Sequence, residues 1–238
     1  MIKAIIFDFG QTLVDSSEGF RLAEREAQQK VFAALGLSDF QEFLMLYRSA
    51  RSAFHAQSRF SRKAIFAELF RRYGQQSDTA LLMSWEIEYW ERVKATTQIF
   101  PEALEVLRKL QEQSFRLAMI TNAQGQEVER QHRLVNYPEL KDFFETVVVA
   151  GEGGIPPKPD PMPFLLCLDM LKLAPSEAVY VGDDWRIDVE GVKAIGMQPI
   201  WLRHRLTQRN WPVVETASTL VINTLEALLD EHRRIALC

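Results

Sequence analysis

The residues with the chemistry to act together are Asp8, Thr121, Lys158 and the acids Asp183 and Asp188. Asp8 closes the apolar run Ile2-Lys3-Ala4-Ile5-Ile6-Phe7, and Thr121 closes Leu117-Ala118-Met119-Ile120. Asp183 follows Ala178-Val179-Tyr180-Val181-Gly182, with Asp188 five positions on. Lys158 lies in the loop Ile155-Pro156-Pro157-Lys158-Pro159-Asp160-Pro161. Taken singly, each has an ordinary alternative. Asp8 could cap a turn, Thr121 could cap a helix, Lys158 could be plain surface, and Asp183 and Asp184 could cap the next helix. Taken together, carboxylates crowded at one place repel unless a cation lies between them, and ligands that are all oxygen select a hard ion such as Mg²⁺. Lys158 and the Thr121 hydroxyl would then offer a cation and a donor to a phosphoryl group.

An open α/β sheet would bring these residues together, because such sheets bind ligands in the crevice outside the carboxyl ends of their strands. The pattern from Phe100-Pro101 onward fits one. Helical spacing over 102–113 is followed by a strand over 115–120, a helix over 126–134 and a strand over 144–150. Next come a helix over 163–171, a strand over 178–181, a helix over 188–195 and a strand over 197–202. A short strand at 220–222 and a helix over 225–234 close the chain. This alternation predicts a doubly wound, Rossmann-like parallel sheet. The stretch from Ser16 to about Thr97 instead shows four helical patterns, near 20–35, 40–55, 62–73 and 79–93, without strand signals. A lone first strand cannot be a domain, so it belongs with the second half. The expected division is a core of 1–14 and 100–238, with an α-helical cap domain, 15–99, inserted above Asp8. Trp85, Tyr89 and Trp90 read as core of that helical domain.

The 238 residues carry a net charge of −4, with 25% charged and 47% hydrophobic residues. This is the balance of a globular protein and gives no electrostatic reason to expect nucleic acid as a partner. Cys167 and Cys238 form neither a disulfide framework nor a metal set. There is no leader pattern and no run of 18 apolar residues, so a cytoplasmic protein with no membrane partner is expected. Arg48, Arg51, Arg59 and Arg62 read as solvated helix faces, and His132, His204 and His232 as surface residues.

The motifs resemble the haloacid dehalogenase-like (HAD) hydrolase superfamily, in its subclass with a helical cap after the first strand. Asp8-Phe9-Gly10-Gln11-Thr12-Leu13 is similar to its first motif, Asp-x-Asp-Gly-Thr-Leu, and Leu117 to Asn122 to its second. Lys158-Pro159-Asp160-Pro161 is similar to the third, and Tyr180 to Asp184 with Asp188 to the fourth. The resemblance covers essentially the whole chain. It implies a Mg²⁺-dependent phosphatase acting on a small phosphorylated metabolite. Asp8 would be the nucleophile, and Asp8, the Gly10 carbonyl, Asp183 and Asp188 would serve the metal. Thr121 and Lys158 would bind the phosphoryl oxygens, and Asn122 would line the same loop. The departure is Gly10, where phosphatases of the family carry the Asp that protonates the leaving oxygen and then activates water; the following Gly is Gln11 here. A positioned acid/base supplies ~10²–10⁴-fold, so reduced hydrolysis is expected unless another group, such as Glu18 or His55, substitutes. Phosphonate or halide cleavage and a catalytically silent binding protein are the alternatives; Lys30, Lys63 and Lys94 carry no motif for the imine that phosphonate cleavage would need.

Overall fold

Every second residue of the apolar strands faces the same side, and here both sides are covered. A computed structural model describes residues 1–123, 133–207, 210–216 and 219–230. Two compact units emerge: Met1–Asp15 with Gln98–Ala123 and the chain from Arg133 onward, and Ser16–Thr97.

The first unit begins with β1 (Ala4–Phe7) and the two-residue β2 (Val14–Asp15). The helical unit follows with α1 (Ser17–Ala34), α2 (Phe40–Ala56), α3 (Arg62–Arg72) and α4 (Thr79–Thr96). The chain then forms β3 (Gln98–Ile99), α5 (Ala103–Glu112), β4 (Arg116–Asn122), α6 (Pro138–Lys141), β5 (Thr146–Ala150) and α7 (Pro161–Leu171). It finishes with β6 (Ala178–Gly182), a single π-helical turn (Trp185–Val189), α8 (Glu190–Lys193), β7 (Gln198–Leu202) and β8 (Leu220–Ile222). Among the described residues the main sheet has six strands in the order β5-β4-β1-β6-β7-β8. All its pairings are parallel. This is the doubly wound parallel sheet expected from the alternation.

The two faces of this sheet are separate cores. Ile5, Phe7, Leu117, Met119, Val179 and Val181 pack with Ala103, Val106, Leu107 and Leu110 of α5. Ala4, Ile6, Ala118, Ile120 and Tyr180 pack with Phe164, Cys167, Leu168 and Leu171 of α7. With β1 paired on both edges, Asp8 is held at its carboxyl end, its N–H donating to Val181 O at 2.9 Å. β2 and β3, which the helical and α/β patterns did not signal, pair antiparallel (Val14↔Ile99) as a two-stranded ribbon. Too short to show a periodicity, they form because the chain leaves and re-enters at one place.

The strand expected over 115–120, β4, runs through Thr121 and Asn122, so Thr121 is a strand residue and not a helix cap. The expected helix over 126–134 falls almost wholly outside the described residues; Arg133–Asn136 is a 3₁₀ turn. The helix expected over 188–195 starts earlier, as the π turn from Trp185, with Asp184 capping it through Ile187 N at 2.9 Å.

The helical unit has its own core, including Ala23, Ala27, Val31, Phe43, Tyr47, Phe66, Leu69, Tyr89 and Val93. Asp39 and Asp78 cap α2 and α4 through two backbone N–H groups each, and Ser61 caps α3. Arg62 corrects the solvated-face expectation: it is 5% exposed. Its Nη2 donates to Tyr89 Oη at 3.0 Å, its Nη1 reaches Phe60 O at 3.0 Å, and its guanidinium lies 4.7 Å from the Tyr89 ring centre. Tyr89 Oη donates to Glu24 Oε2 at 3.0 Å and Arg51 Nη1 to Glu24 Oε1 at 2.9 Å. A buried ion pair with hydrogen-bonded aromatics was invisible to a rule that places arginines outside. No helix among the described residues is long and apolar enough to cross a membrane.

Candidate active site

The site is built on the carboxyl ends of β1, β4 and β6 and on the loop entering α7. Lys158 is 1% exposed, which removes the plain-surface alternative. Its Nζ donates to Asp8 Oδ1 at 2.7 Å and to Asp188 Oδ1 at 2.8 Å. It also lies 2.7 Å from Tyr180 Oη and 3.1 Å from Ile120 O. Carboxylate oxygens of Asp8, Asp183 and Asp188, all buried, lie within 4.8 Å of one another. The structure thus brings together Asp8, Lys158, Asp183 and Asp188.

Burial penalises the Lys158 ammonium, but the charges of Asp188 and Asp8 outweigh it and hold its pKa above the ordinary lysine value. Burial pushes the Asp188 carboxyl up to about 6, Asp8 and Asp184 adding to the rise and Lys158 opposing it. Such a cluster is costly in free energy and is the pattern of a functional site more often than of a structural one.

The supporting geometry is local. Asn122 does more than line the loop. Its Oδ1 accepts from Lys158 N at 2.8 Å and its Nδ2 donates to Lys158 O at 3.2 Å, clamping the lysine main chain to the end of β4. Thr121 is 3% exposed in the same strand. Asp188 Oδ2 accepts from Asp184 N at 3.0 Å. Gly182 is required by this approach: a Cβ there would come within 2.5 Å of Asp188 Cγ and Oδ2. In the turn after Asp8, Leu13 N returns to Phe9 O at 2.9 Å, and Gln11 N donates to Val14 O at 2.8 Å. The positive φ of this turn falls on Gln11, at 59°, and not on Gly10. A non-glycine residue there costs roughly 1–2 kcal/mol.

Two residues escaped the sequence reading. Tyr180 touches the lysine, and Trp201 of β7, 1% exposed, donates from Nε1 to the main-chain O of Asp183 at 2.9 Å. Both looked like strand filling; the available signal was that a buried Tyr or Trp needs a partner for its polar end. His204 also corrects the surface expectation. It is 1% exposed, stacked on Phe100 at 3.6 Å, with Nε2 2.8 Å from Glu102 Oε1. His132 and His232 lie outside the described residues. Glu18 pairs with Arg21, and His55 meets Arg62 at 3.2 Å, both within the helical unit.

The family model of haloacid dehalogenase-like hydrolases matches residues 2–196. A glyceraldehyde 3-phosphate phosphatase of Methanopyrus kandleri is 30% identical over 85% of this chain and 84% of its own. That of Pyrococcus abyssi is 30% identical over 86% and 82%. Among solved structures, a 2-haloacid dehalogenase from Pseudomonas syringae pv. Tomato DC3000 has a TM-score of 0.64 at 27% identity, covering 98% of this chain and 99% of its own. A HAD phosphatase from Thermococcus onnurineus, at 24% identity and a TM-score of 0.63 over 99% and 98%, shares the fold. With a family match from residue 2 to residue 196 and relatives aligned over most of both chains, this protein belongs to the haloacid dehalogenase-like hydrolases.

Proposed function

We propose that the protein is a phosphohydrolase that moves the phosphoryl group of a small phosphorylated metabolite onto Asp8 and then to water. The observation that carries this reading is the buried Lys158 bridging Asp8 and Asp188, with Asp183 beside them. An Asp8 carboxylate oxygen attacks phosphorus and the bond from phosphorus to the leaving oxygen breaks, that oxygen keeping the electron pair. Water then attacks the aspartyl-phosphate, releasing phosphate and restoring the carboxylate. Lys158 and Thr121 bind the transferring oxygens, and Asn122 holds the Lys158 main chain in place. Three buried carboxylates offering only oxygen fit a hard divalent cation. Asp8, the Gly10 carbonyl, Asp183 and Asp188 would hold Mg²⁺, which when bound neutralises negative charge on the phosphoryl and carboxylate oxygens. In this reading 15–99 is the cap domain and the chain works in the cytoplasm.

Gly10 shapes the substrate range. Glycine cannot give a proton to a leaving alkoxide, so this site favours phosphoryl compounds whose leaving group is already a weak base. The relatives' names point to small phosphate esters such as glyceraldehyde 3-phosphate, phosphoserine and phosphoglycolate. Such alkyl esters would be turned over slowly here. The three-acid cluster favours phosphoryl over halide chemistry, which has no need of a cation.

The test is Mg²⁺-dependent phosphate release from acetyl phosphate and from glyceraldehyde 3-phosphate. The native protein should act on acetyl phosphate, and Asp8→Asn should abolish release. Gly10→Asp should raise turnover of the alkyl ester by roughly 10²-fold or more. Silence from both the native protein and folded Gly10→Asp overturns the phosphohydrolase reading. A melting temperature raised by Mg²⁺ with phosphate, without turnover, would then identify a silent binding protein.

A further inference from the structure

Lysine is a flexible four-carbon chain ending in a point charge, and something must decide where its three hydrogens go. Four oxygens surround Lys158 Nζ: Asp8 Oδ1 at 2.7 Å, Asp188 Oδ1 at 2.8 Å, Tyr180 Oη at 2.7 Å and Ile120 O at 3.1 Å. Two are carboxylates that any ammonium would seek. The other two lie at the β4 and β6 ends and are themselves joined, since Tyr180 Oη donates its single proton to Ile120 O at 2.9 Å. The Asp188 carboxylate is a second acceptor for the phenol; with the proton on either one, the phenol oxygen has only lone pairs left to present to Nζ.

The ring is braced as well. Tyr180 is fully buried on the sheet face that packs against α7, with the Phe164 ring edge-on at 5.4 Å and 85°. Phe164 is confined in turn by Gly191, where an added Cβ would lie 3.0 Å from its Cε2. The phenol oxygen is therefore a fixed point, set by the strand and by α7 rather than by the site.

We infer that Tyr180 is a positioning residue for Lys158: its phenol takes one ammonium hydrogen and so directs the remaining two at Asp8 and Asp188. This inference rests on the phosphohydrolase reading for its consequence. When Asp8 engages phosphorus, the hydrogen that now points at Asp8 Oδ1 turns to a phosphoryl oxygen. The other two stay on Asp188 and Tyr180, and the ammonium keeps its place. Without the phenol oxygen, the ammonium loses one of its two shortest contacts, the Ile120 carbonyl lying farther off at 3.1 Å, and the side chain loses its fixed direction. Tyr180 touches neither substrate nor reacting atoms in this account. It acts through the lysine.

The test is Tyr180→Phe, read in two ways. The first is NMR of ¹⁵N-labelled lysine ammonium groups in metal-free buffer, the Lys158 signal being assigned by its loss in Lys158→Met. Native Lys158 should exchange its ammonium protons slowly, and Tyr180→Phe should speed that exchange about tenfold, the scale of one hydrogen bond to a charged group. The second is acetyl phosphate turnover, where kcat should fall about tenfold with KM within about twofold, as for a contact that matters in the transition state. A thermal melt establishes that the variant is folded. Tyr180→Met, also without a hydroxyl, serves if the phenylalanine ring does not fold. Unchanged ammonium exchange overturns the inference, as does unchanged kcat in a native protein that turns over. A native protein that releases no phosphate sinks the phosphohydrolase reading, while the exchange measurement still decides whether Tyr180 holds the lysine.

Discussion

A glycine makes room for an aspartate in the site. Gly182 ends β6 and gives way to Asp188, which comes back against the strand through the π turn. Because a Cβ at residue 182 would overlap Asp188 Cγ and Oδ2 at 2.5 Å, Gly182→Ala has to displace the acid. Overpacking of this kind costs about 1–3 kcal/mol. The expected outcome is a lower thermal midpoint together with weakened Mg²⁺ affinity, read by calorimetric titration. A variant with native metal affinity would show that Asp188 can relax without consequence. Gln11 shows a different compromise: it occupies the left-handed position of the turn while the glycine stands one residue earlier, at 10. The acid of the first motif is absent here, Gly10 standing in its place.

At the scale of elements, the site is a meeting of strand ends with one loop. Strands alone would place Asp8, Thr121 and Asp183 at one end of the sheet, but Lys158 has no strand to hold it. The loop is tied at two points: Asn122 grips the Lys158 main chain from β4, and Asp160 caps α7 through Met162 N at 2.9 Å. Asn122→Ala removes two buried hydrogen bonds to the Lys158 main chain. A stability loss of about 1–3 kcal/mol is expected, read by urea unfolding, with acetyl phosphate kcat/KM reduced about tenfold. Native activity in that variant would mean that the carboxylates alone position the loop. The resemblance pointed to Asn122 without saying what it holds; the geometry shows a main-chain clamp.

Across the molecule, both units combine apolar cores with buried ions. In the helical unit the ions are Glu24 and Arg62, set among aromatic residues. Burial of Glu24 would raise its pKa, but the charges of Arg62 and Arg51 and the bonds from Arg51 and Tyr89 outweigh it, leaving the folded value below the ordinary 4.5. A carboxylate with a lowered folded pKa stabilises the fold fully above its unfolded value, and that contribution is lost as pH falls through the folded one. Glu24→Gln removes one partner of a buried pair, so it should cost about 3 kcal/mol at pH 7. The gap between the two proteins, measured by urea unfolding, should narrow as pH falls below about 4.5. A constant gap would show that the pair is not the source. Sequence alone determined the doubly wound sheet and the helical stretch and offered Asp8, Thr121 and Asp183 as candidates, because these rest on local periodicity and on residues standing at the ends of apolar runs; Lys158 and Asp188 were candidates from the loop and turn beyond such runs, and the structure brought both of them to Asp8. Only the tertiary structure decided what Tyr180, Trp201, His204 and Arg62 do. Their roles depend on which polar atom is left facing them once the core has closed, and that is set by contacts between residues far apart in the chain: 18 positions for Trp201 with Asp183, 22 for Tyr180 with Lys158, 27 for Arg62 with Tyr89 and 102 for His204 with Glu102.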